Sequence, residues 1–394
     1  MAEPSRASEP RRPLIYLVAG EESGDRLGAA LLRALRTQTG GAVAFAGIGG
    51  RAMADEGLQS LFAAHEHAII GFGVIRALPR IWRRVRETVQ HVIAMQPDVL
   101  VIIDSPEFSH AVARRVHKAA PAIPIVNYVS PSVWAWRPGR ARRMRSYIAH
   151  VMALLPFEPD VHVRLGGPLC TYVGHPAIER LGELRPNADD AVRRMQDPPL
   201  LLVLPGSRHG EIRRMLGVFG DAVAKLVERG ERFELALPTL PHLAAGVSEQ
   251  TRTWAIVPRV LIDPVDHRAA FRRARAALTK SGTVTLELAL SGVPMVAAYK
   301  VSLLDELVAR IAVSVPSIIL ANLVLEENIV PELLQRDCTA DALADALAPL
   351  LRESPQRSRQ LAAFARLDDI MEIGKAAPSQ RAAEIVLRSA TAGR

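Results

Sequence analysis

The turn Ser281-Gly282-Thr283 has the residue types expected where a chain binds a phosphate. It follows the segment 274–279, which predicts the end of a buried strand, and it precedes a short predicted helix. The free N–H groups at the start of a helix attract phosphate, and a glycine lets the ligand approach the backbone. Glu287 falls one turn after Thr283 on the same helical face, where its carboxylate can accept hydrogen bonds from ribose hydroxyls. The pattern is equally typical of an ordinary strand-helix-strand crossover with a solvated Glu287.

A second turn, Gly206-Ser207-Arg208, repeats this arrangement after the apolar run 200–204. Gly206 and Ser207 offer backbone and hydroxyl donors. The planar guanidinium of Arg208 can pair with a diphosphate and stabilise the negative charge that develops on a leaving group. A solvated surface arginine is the alternative, but the neighbouring glycine and serine favour a functional role.

Asp104 stands at the end of a strongly apolar run, 97–104, in the first half of the chain. A carboxylate at the carboxyl end of a buried strand is well placed to act as a general base. An aspartate that caps the following helix fits the same spacing. The residue types therefore leave both roles open.

The first predicted strand-to-helix turn, Gly20 to Asp25, contains Glu21, Glu22 and Ser23. It lacks the G-x-G-x-x-G spacing of a dinucleotide site, and its three carboxylates would repel a pyrophosphate. The turn is better suited to the hydroxyl groups of a sugar. A solvated acidic turn in which Asp25 caps a helix is the alternative.

Arginines and aromatic residues cluster in two further places. Trp134 and Trp136 precede five arginines between 137 and 145, which suits an anionic, partly apolar partner. The partner could be a nucleic acid that stacks on the tryptophans or a phosphorylated lipid. A packed tryptophan pair beside a solvated basic helix would have the same sequence. The apolar stretch 69–78 adjoins Trp82 and four arginines between 80 and 86, a combination typical of a protein that contacts an anionic membrane surface. A buried helix would show the same apolar content.

Strand and helix patterns alternate along most of the chain, which predicts an α/β protein with parallel sheets. The simplest arrangement has two similar halves with a cleft between them, and such folds bind ligands at the carboxyl ends of their strands. We expect a disordered tail at 1–13, a first Rossmann-like domain at 14–185 and a second at 198–345. The helical residues 346–394 would pack on the first domain or on a partner chain.

Composition narrows the functional classes. Of the 394 residues, 49% are hydrophobic and 23% charged, as in a well-cored globular protein. The net charge of +8 is compatible with an anionic partner, but the sequence lacks a nucleic-acid-binding motif, so nucleic acid is not an expected partner. The two cysteines have no paired or metal-type spacing, and no run approaches the roughly 18 apolar residues of a membrane span. A cytoplasmic location is therefore expected.

Taken together, the motifs resemble the lipid-A-disaccharide synthase family, in order from about residue 14 to 340. No single motif is specific, but the ordered set is. The matching segments are Ala19-Gly-Glu-Glu-Ser-Gly-Asp25, Gly47-Ile-Gly-Gly50 with Met53, Ile103-Asp-Ser-Pro-Glu-Phe108, Tyr128-Val-Ser-Pro-Ser-Val-Trp-Ala-Trp136, Leu155-Pro-Phe-Glu158, Val173-Gly-His-Pro176, Leu204-Pro-Gly-Ser-Arg208, Ser281-Gly-Thr-Val-Thr-Leu-Glu287, and Asn322 with Pro331-Glu-Leu-Leu-Gln335.

The resemblance implies an inverting transferase with two Rossmann-like domains (GT-B), without a metal or other cofactor. Such enzymes join UDP-2,3-diacylglucosamine to 2,3-diacylglucosamine 1-phosphate, which gives lipid A disaccharide 1-phosphate and UDP. By position, Asp104 would be the base on the acceptor's 6-hydroxyl and Arg208 its catalytic partner. The UDP-binding set would be Gly206, Ser207, Arg208, Ser281, Gly282, Thr283, Glu287, Asn322 and Gln335. Glu21, Glu22 and Ser23 would face the sugars, and the membrane-contacting set would be Ile69, Ile70, Phe72, Val74, Ile75, Leu78 and Trp82.

The resemblance also implies peripheral association with the inner membrane, and a homodimer stays open. Two departures concern Ile70-Gly71 and Arg51, where many relatives have Met-Gly and Pro, and Val74 stands near where some relatives carry Glu. These affect acyl-chain preference and membrane contacts rather than the reaction. Two alternatives are another UDP-sugar enzyme of the same fold, such as a UDP-N-acetylglucosamine 2-epimerase, and a non-enzymatic basic membrane-binding module.

Overall fold

The computed structural model describes residues 12–62, 74–300 and 315–392, with the side chains of 74–78 outside the described set. The chain forms two compact units, Met1–Pro176 with Gly374–Arg394, and Ala177–Ile373. In the described residues, each unit contains one six-stranded sheet in which every pairing is parallel. The predicted α/β class with two parallel sheets is confirmed.

The sheet of the first unit has the strand order β2-β1-β3-β4-β5-β6. Its strands are β1 (Leu14–Ala19), β2 (Ala44–Ile48), β3 (Val99–Ile103), β4 (Ile125–Tyr128), β5 (His150–Ala153) and β6 (Leu169–Tyr172). Its first helices are α1 (Glu22–Gln38), α2 (Arg51–Asp55), α3 (Val74–Met95), α4 (Pro106–Ala119), α5 (Gly139–Met144) and α6 (Glu158–Arg164).

The sheet of the second unit has the strand order β12-β11-β10-β7-β8-β9. Its strands are β7 (Leu200–Leu204), β8 (Glu234–Pro238), β9 (Arg259–Leu261), β10 (Ala276–Lys280), β11 (Met295–Tyr299) and β12 (Glu332–Leu334). A 3-10 turn, Pro176–Arg180, leads into its helices. These are α7 (Leu181–Leu184), α8 (Ala188–Arg194), α9 (His209–Glu228), α10 (Pro241–Thr251), α11 (Pro264–Arg273), α12 (Val284–Leu290), α13 (Leu320–Leu325), α14 (Ala340–Leu351), α15 (Pro355–Ala365) and α16 (Leu367–Ile370).

The last helix of the chain, α17 (Pro378–Ala392), belongs to the first unit, where it packs against α1. Its apolar side chains, among them Ile385 and Val386, enter the same core as Leu31 of α1. The earlier helix α14 instead packs on α9 in the core of the second unit. The helical residues after 340 are therefore divided between the two units.

Apolar residues on both faces of the central strands explain the parallel sheets. In β3, all five residues of Val-Leu-Val-Ile-Ile are buried, as expected for a strand covered by helices on each side. Alternate residues of β1 enter two different cores, Ile15 and Leu17 on one face and Tyr16 and Val18 on the other. Among the described helices, none is long and apolar enough to cross a membrane.

The order of strands along each sheet reverses at one point, and ligands of such folds bind beyond the strand ends at that point. In the first unit the reversal lies between β1 and β3, and in the second between β7 and β10. The register pairs Ala19 with Ile103 and Thr279 with Leu204, so the strand ends are level. The turns that follow these four strands contain most of the predicted site residues.

Candidate functional site

A cavity of about 490 Å³ lies at the carboxyl ends of β7, β8 and β10 in the second unit. It brings together six of the predicted nucleotide-binding residues, which come from two turns separated by some 70 positions in the sequence. Those six are Gly206, Ser207, Arg208, Gly282, Thr283 and Glu287. Ser281 is buried beside them, and its hydroxyl donates to the carbonyl of Ile318.

Gly206 is required by its conformation and by its surroundings. Its φ is +124°, and a Cβ atom built there would lie 2.5 Å from Oε2 of Glu211. That same oxygen accepts a hydrogen bond of 3.1 Å from the Ser207 backbone N–H. The Ser207 N–H predicted as a ligand donor is thus engaged within the protein, which leaves its hydroxyl to face the cavity.

Two cations flank Glu211, and one of them, Lys280, was missed by the sequence reasoning. The Lys280 ammonium is 3.1 Å from Glu211 Oε1, and the Arg208 guanidinium is 3.8 Å from the same oxygen. Burial alone would raise the pKa of the Glu211 carboxyl, but the Lys280 ammonium, the Ser207 N–H and Arg208 together hold that pKa below its usual value. Lys280 stands directly before the Ser-Gly-Thr turn, a position that could have signalled its role.

The cations matter because the helix after the turn is short. α12 has seven residues, and Thr283 at its N-cap makes no capping bond with its side chain. A seven-residue helix supplies little dipole, so most of the positive charge in this cavity comes from Arg208 and Lys280. Glu287 lines the same cavity, and one of its oxygens lies 3.8 Å from the Arg180 guanidinium.

The wall of the cavity beyond β8 is apolar and aromatic, with few polar groups. Leu240, His267 and Phe271 line it, and His267 Nε2 lies 2.9 Å from the carbonyl oxygen of Leu261. Thr239 lines it too, and among the described residues its buried hydroxyl has no hydrogen-bond partner. A flat, partly polar ring such as a nucleobase suits this wall.

Asn322 and Gln335 are not among the residues that line this cavity. The Asn322 amide is buried and bonds to backbone groups of Ile329 and Val330. It thereby holds the loop between α13 and β12. Gln335 follows β12 in the left-handed region and donates its N–H to Tyr299. Their assignment to UDP stays a prediction.

In the first unit, Asp104 follows β3 and is oriented by its neighbours. Its Oδ2 accepts a bond of 2.9 Å from the Ser23 hydroxyl, and its Oδ1 accepts one of 2.8 Å from the Ser105 N–H. Ser23 lies in the first turn of α1, so the predicted Ser23 and Asp104 are brought together at the reversal point of the sheet. A hydrogen-bonded carboxylate at the carboxyl end of a strand can accept a proton from a substrate hydroxyl.

The other carboxylates of the first turn have different roles. Asp25 is buried and accepts hydrogen bonds from the N–H groups of Gly50, Ala52 and Met53, so it caps α2 rather than facing a ligand. Glu22 is exposed and pairs with Arg26 one turn along α1. Glu21 is the N-cap residue of α1.

A buried polar cluster lies at the carboxyl ends of β4 and β5. Glu158 accepts bonds from the indole N–H of Trp134 and from the backbone N–H groups of Leu154 and Leu155. Nearby, His162 Nε2 lies 3.0 Å from the Ser130 hydroxyl. Burial raises the pKa of Glu158 to about 7, against the smaller opposing effect of these hydrogen bonds. Trp134 is therefore anchored within the protein, in agreement with the packed alternative for this residue.

The predicted membrane-contacting set lies largely outside the described residues. This applies to Ile69, Ile70 and Phe72, and to the side chains of Val74, Ile75 and Leu78. Trp82 on α3 is described: it is 55% exposed, and the Arg115 guanidinium lies 4.5 Å from its ring centre.

Comparison with known proteins identifies the family. The family model described as lipid-A-disaccharide synthetase matches residues 15–386. The chain belongs to the lipid-A-disaccharide synthase family. It is 56% identical over 387 residues to the lipid-A-disaccharide synthase of Bradyrhizobium diazoefficiens, and the aligned region covers 98% of each chain. It is 58% identical over 374 residues to the lipid-A-disaccharide synthase of Rhodopseudomonas palustris strain BisB18, and the aligned region covers 95% of this chain and 94% of the relative. The resemblance inferred from the sequence motifs is thus confirmed.

Solved structures give the same fold at low sequence identity. The UDP-GlcNAc 2-epimerase from Neisseria meningitidis, bound to UDP-GlcNAc, has a TM-score of 0.62 at 12% identity and covers 95% of this chain and 99% of its own. MurG from Acinetobacter baumannii has a TM-score of 0.58 at 14% identity, with 96% and 99% coverage. These likenesses concern the fold alone. The family match favours the synthase over the 2-epimerase and over a non-enzymatic module.

Proposed function

We propose that this protein transfers a diacylglucosaminyl group from UDP-2,3-diacylglucosamine to the 6-hydroxyl of 2,3-diacylglucosamine 1-phosphate. The observation that carries the proposal is the cavity of the second unit, in which Arg208 and Lys280 lie beside the strand ends and Glu287 faces the same space. The two cations can pair with a diphosphate. Of the two carboxylates that line the cavity, Glu211 holds the cations in place and Glu287 can accept hydrogen bonds from ribose hydroxyls. Family membership supplies the sugar and the acceptor.

The UDP moiety would occupy this cavity with its three parts on different walls. The uracil lies against Leu240, Phe271 and the Thr239 hydroxyl, and the ribose hydroxyls donate to Glu287. The diphosphate contacts Arg208 and Lys280, which lie near the Ser281-Gly282 turn. As the bond from the anomeric carbon to the diphosphate oxygen breaks, the electron pair moves onto UDP, and these cations stabilise the charge that develops.

Asp104 supplies the base. The acceptor's 6-hydroxyl attacks the anomeric carbon, the new carbon–oxygen bond forms, and the hydroxyl proton passes to the Asp104 carboxylate. The Ser23 hydroxyl and the Ser105 N–H fix the orientation of that carboxylate before the substrate binds. A single displacement inverts the anomeric configuration and requires no covalent intermediate.

The decisive experiment incubates the purified protein with both substrates and measures UDP and disaccharide. The expected result is equimolar UDP and disaccharide 1-phosphate, with no UDP formed when the acceptor is omitted. UDP release or a 2-epimer from the donor alone would refute the transferase assignment in favour of epimerase chemistry.

We also propose that the protein contacts an anionic membrane surface through the region that includes α3. Trp82 is exposed, and Arg80, Arg83 and Arg84 lie on the same helix, which gives an aromatic residue beside positive charge. Flotation with phosphatidylglycerol vesicles tests this proposal, with phosphatidylcholine vesicles as the comparison. Replacing Ile70, Phe72, Ile75 and Trp82 by serine should release the protein from the anionic vesicles. Unchanged flotation would refute the proposal.

A further inference from the structure

A second cavity, of about 440 Å³, lies in the first unit and has a strongly basic lining. Its residues come from α4 and from the segment 137–147 that contains α5. They are Glu107, Arg114, His117, Arg137, Arg140, Arg143, Ser146 and Tyr147. None of them belongs to the sites assigned above.

The charges in this cavity are not balanced within the protein. Glu107 is the one carboxylate in the lining, and it lies 2.8 Å from Arg140 and 3.9 Å from Arg137. Among the described residues, Arg114 and Arg143 make no ion pair with a carboxylate. Four guanidinium groups against one carboxylate give the pocket a positive potential that favours an anion.

The Tyr147 side chain, which lines the cavity, contacts a charged arginine and a buried histidine. The Arg114 guanidinium lies 5.9 Å from the ring centre of Tyr147, whose hydroxyl is 3.1 Å from Nδ1 of the buried His110. Burial, together with the nearby charges of Arg140 and Arg114, lowers the pKa of His110 to about 3, so this ring carries no charge at neutral pH. His110 therefore adds no positive charge to that of the four arginines.

The shape of the pocket and its hydrogen-bond donors indicate which class of anion it would bind. Guanidinium groups present planar pairs of N–H donors that match phosphate oxygens, and the Ser146 hydroxyl adds a further donor. A nucleic acid would require a long track of cations along its backbone, whereas this lining surrounds one concave space. A single phosphomonoester, with up to two negative charges, fits the two arginines that make no ion pair with a carboxylate of the described residues.

The position of the pocket connects it with Asp104. Glu107 lies in the first turn of α4, three residues after Asp104, and Arg114 lies about two turns further along the same helix. The cavity thus begins close to the carboxyl end of β3. We propose that it binds the phosphate at position 1 of the acceptor sugar, with Arg114 and Arg143 as its main ligands; this inference rests on the function proposed above.

The test compares acceptors with and without the phosphate, in detergent micelles free of phospholipid. The kcat/KM of the wild type should be higher for 2,3-diacylglucosamine 1-phosphate than for 2,3-diacylglucosamine. Arg114→Gln and Arg143→Gln should each lower kcat/KM for the phosphorylated acceptor at least tenfold, through KM, and shrink the preference for phosphate. KM for the donor and the thermal stabilisation by UDP should stay at wild-type values, which shows that the variants fold.

Two matched controls lie next to these residues in the sequence. Arg115 and Arg142 do not line the pocket, so Arg115→Gln and Arg142→Gln should keep the wild-type preference. Equal use of both acceptors by the wild type would overturn the proposal, and so would pocket variants that keep the full preference. If the wild type gives no turnover with the unphosphorylated acceptor, the kcat/KM of the pocket variants for the phosphorylated acceptor decides alone. A decrease of less than tenfold in that kcat/KM would then overturn the proposal as well.

A vesicle experiment distinguishes the acceptor's phosphate from a membrane headgroup. The pocket variants should bind phosphatidylglycerol vesicles as the wild type does. Loss of vesicle binding with unchanged acceptor kinetics would overturn the proposal in favour of a phospholipid headgroup. A wild type that forms no disaccharide from the phosphorylated acceptor would instead refute the proposed function, so the two failures are distinguishable.

Discussion

Glu158 in the first unit and Glu211 in the second are both buried carboxyls in the first turn of a helix that follows a strand. Glu158 accepts hydrogen bonds from the backbone N–H groups of Leu154 and Leu155, and Glu211 accepts one from that of Ser207. Burial raises the pKa of Glu158, whereas the Lys280 ammonium and its neighbours outweigh burial and lower the pKa of Glu211. The two pKa values shift in opposite directions because Glu211 has the Lys280 ammonium beside it, whereas Glu158 is contacted by neutral hydrogen-bond donors.

The turn after β7 in the second unit and the turns after β3 and β4 in the first unit also differ in backbone conformation. In the second unit, Gly206 takes the left-handed conformation that its turn requires. In the first unit, Asp104, Ser105 and Val129 have positive φ values without being glycine, which costs roughly 1–3 kcal/mol each. Such strain persists only where the surroundings hold it.

Side chains of the first unit hold these strained residues in place. The Ser109 hydroxyl donates to the carbonyl oxygen of Asp104, and the Asn127 amide donates to that of Val129. We infer that the strand ends of the first unit orient one carboxylate, that of Asp104. The strand ends of the second unit instead bring together the cations that stabilise a leaving group.

Asp104→Asn should abolish most turnover and leave UDP binding intact. The amide keeps the shape of the side chain but cannot accept a proton, and a general base contributes about 10²- to 10⁴-fold. The measurement is kcat with both substrates saturating, together with UDP affinity by calorimetry. Asp160→Asn, at an exposed position on α6, should leave both quantities unchanged. Near-normal turnover of Asp104→Asn would remove the base assignment.

Arg208→Ala and Lys280→Ala should weaken UDP binding, each by about 2–5 kcal/mol if the ion pair with the diphosphate is desolvated. The Lys280 variant has a second effect: it leaves the buried Glu211 without its closest cation, so the free protein should also be less stable. Calorimetric UDP titration and urea unfolding measure the two effects. Arg213→Ala, at an exposed position on α9, is the control and should show neither. Wild-type UDP affinity in both variants would show that the diphosphate binds elsewhere.

Glu158→Gln should change how stability depends on pH. Because the pKa of Glu158 is raised from 4.5 to about 7 in the folded protein, the folded state binds the proton more tightly than the unfolded state between these values. The contribution of this group to the free energy of unfolding therefore falls as the pH rises through that window, by on the order of 3 kcal/mol in total. The glutamine does not titrate, so the variant should lack this decrease.

Urea unfolding at pH 5 and pH 8 measures this effect in both proteins. Asp160→Asn on the same helix should follow the wild-type profile. Parallel pH profiles for the wild type and Glu158→Gln would mean that Glu158 is not the neutral buried group that the comparison with Glu211 requires.

The sequence was sufficient for the α/β class and for the turns at the strand ends, because apolar strand runs followed by glycine and serine are local signals. It did not reveal which side chains turn inward. The sequence offers Asp25 as a helix cap, but only the fold shows that the helix it caps is α2, some 25 positions later in the chain. Lys280 reads as the end of a strand, and only the pairing of β10 with β7 brings it to Glu211.

The same limit applies to the end of the chain. The composition of residues 346–394 predicts helices but not their partners, since an Ala- and Leu-rich face packs on any apolar surface. The placement of α17 on α1 depends on complementary packing of small side chains such as Ala382 and Ala383, and sequence periodicity does not contain that information.

Thr239→Val should affect the free and the bound protein in opposite directions. The buried Thr239 hydroxyl has no partner among the described residues, so its removal should leave the free protein as stable as the wild type or slightly more stable. If the hydroxyl bonds to uracil, UDP affinity should fall by about 0.5–1.5 kcal/mol. Thr251→Val is the matched control: its buried hydroxyl donates to the carbonyl of Val247, so that variant should lose stability and keep UDP affinity. Loss of stability in Thr239→Val without loss of UDP affinity would show that this threonine is part of the core and not of the nucleotide site.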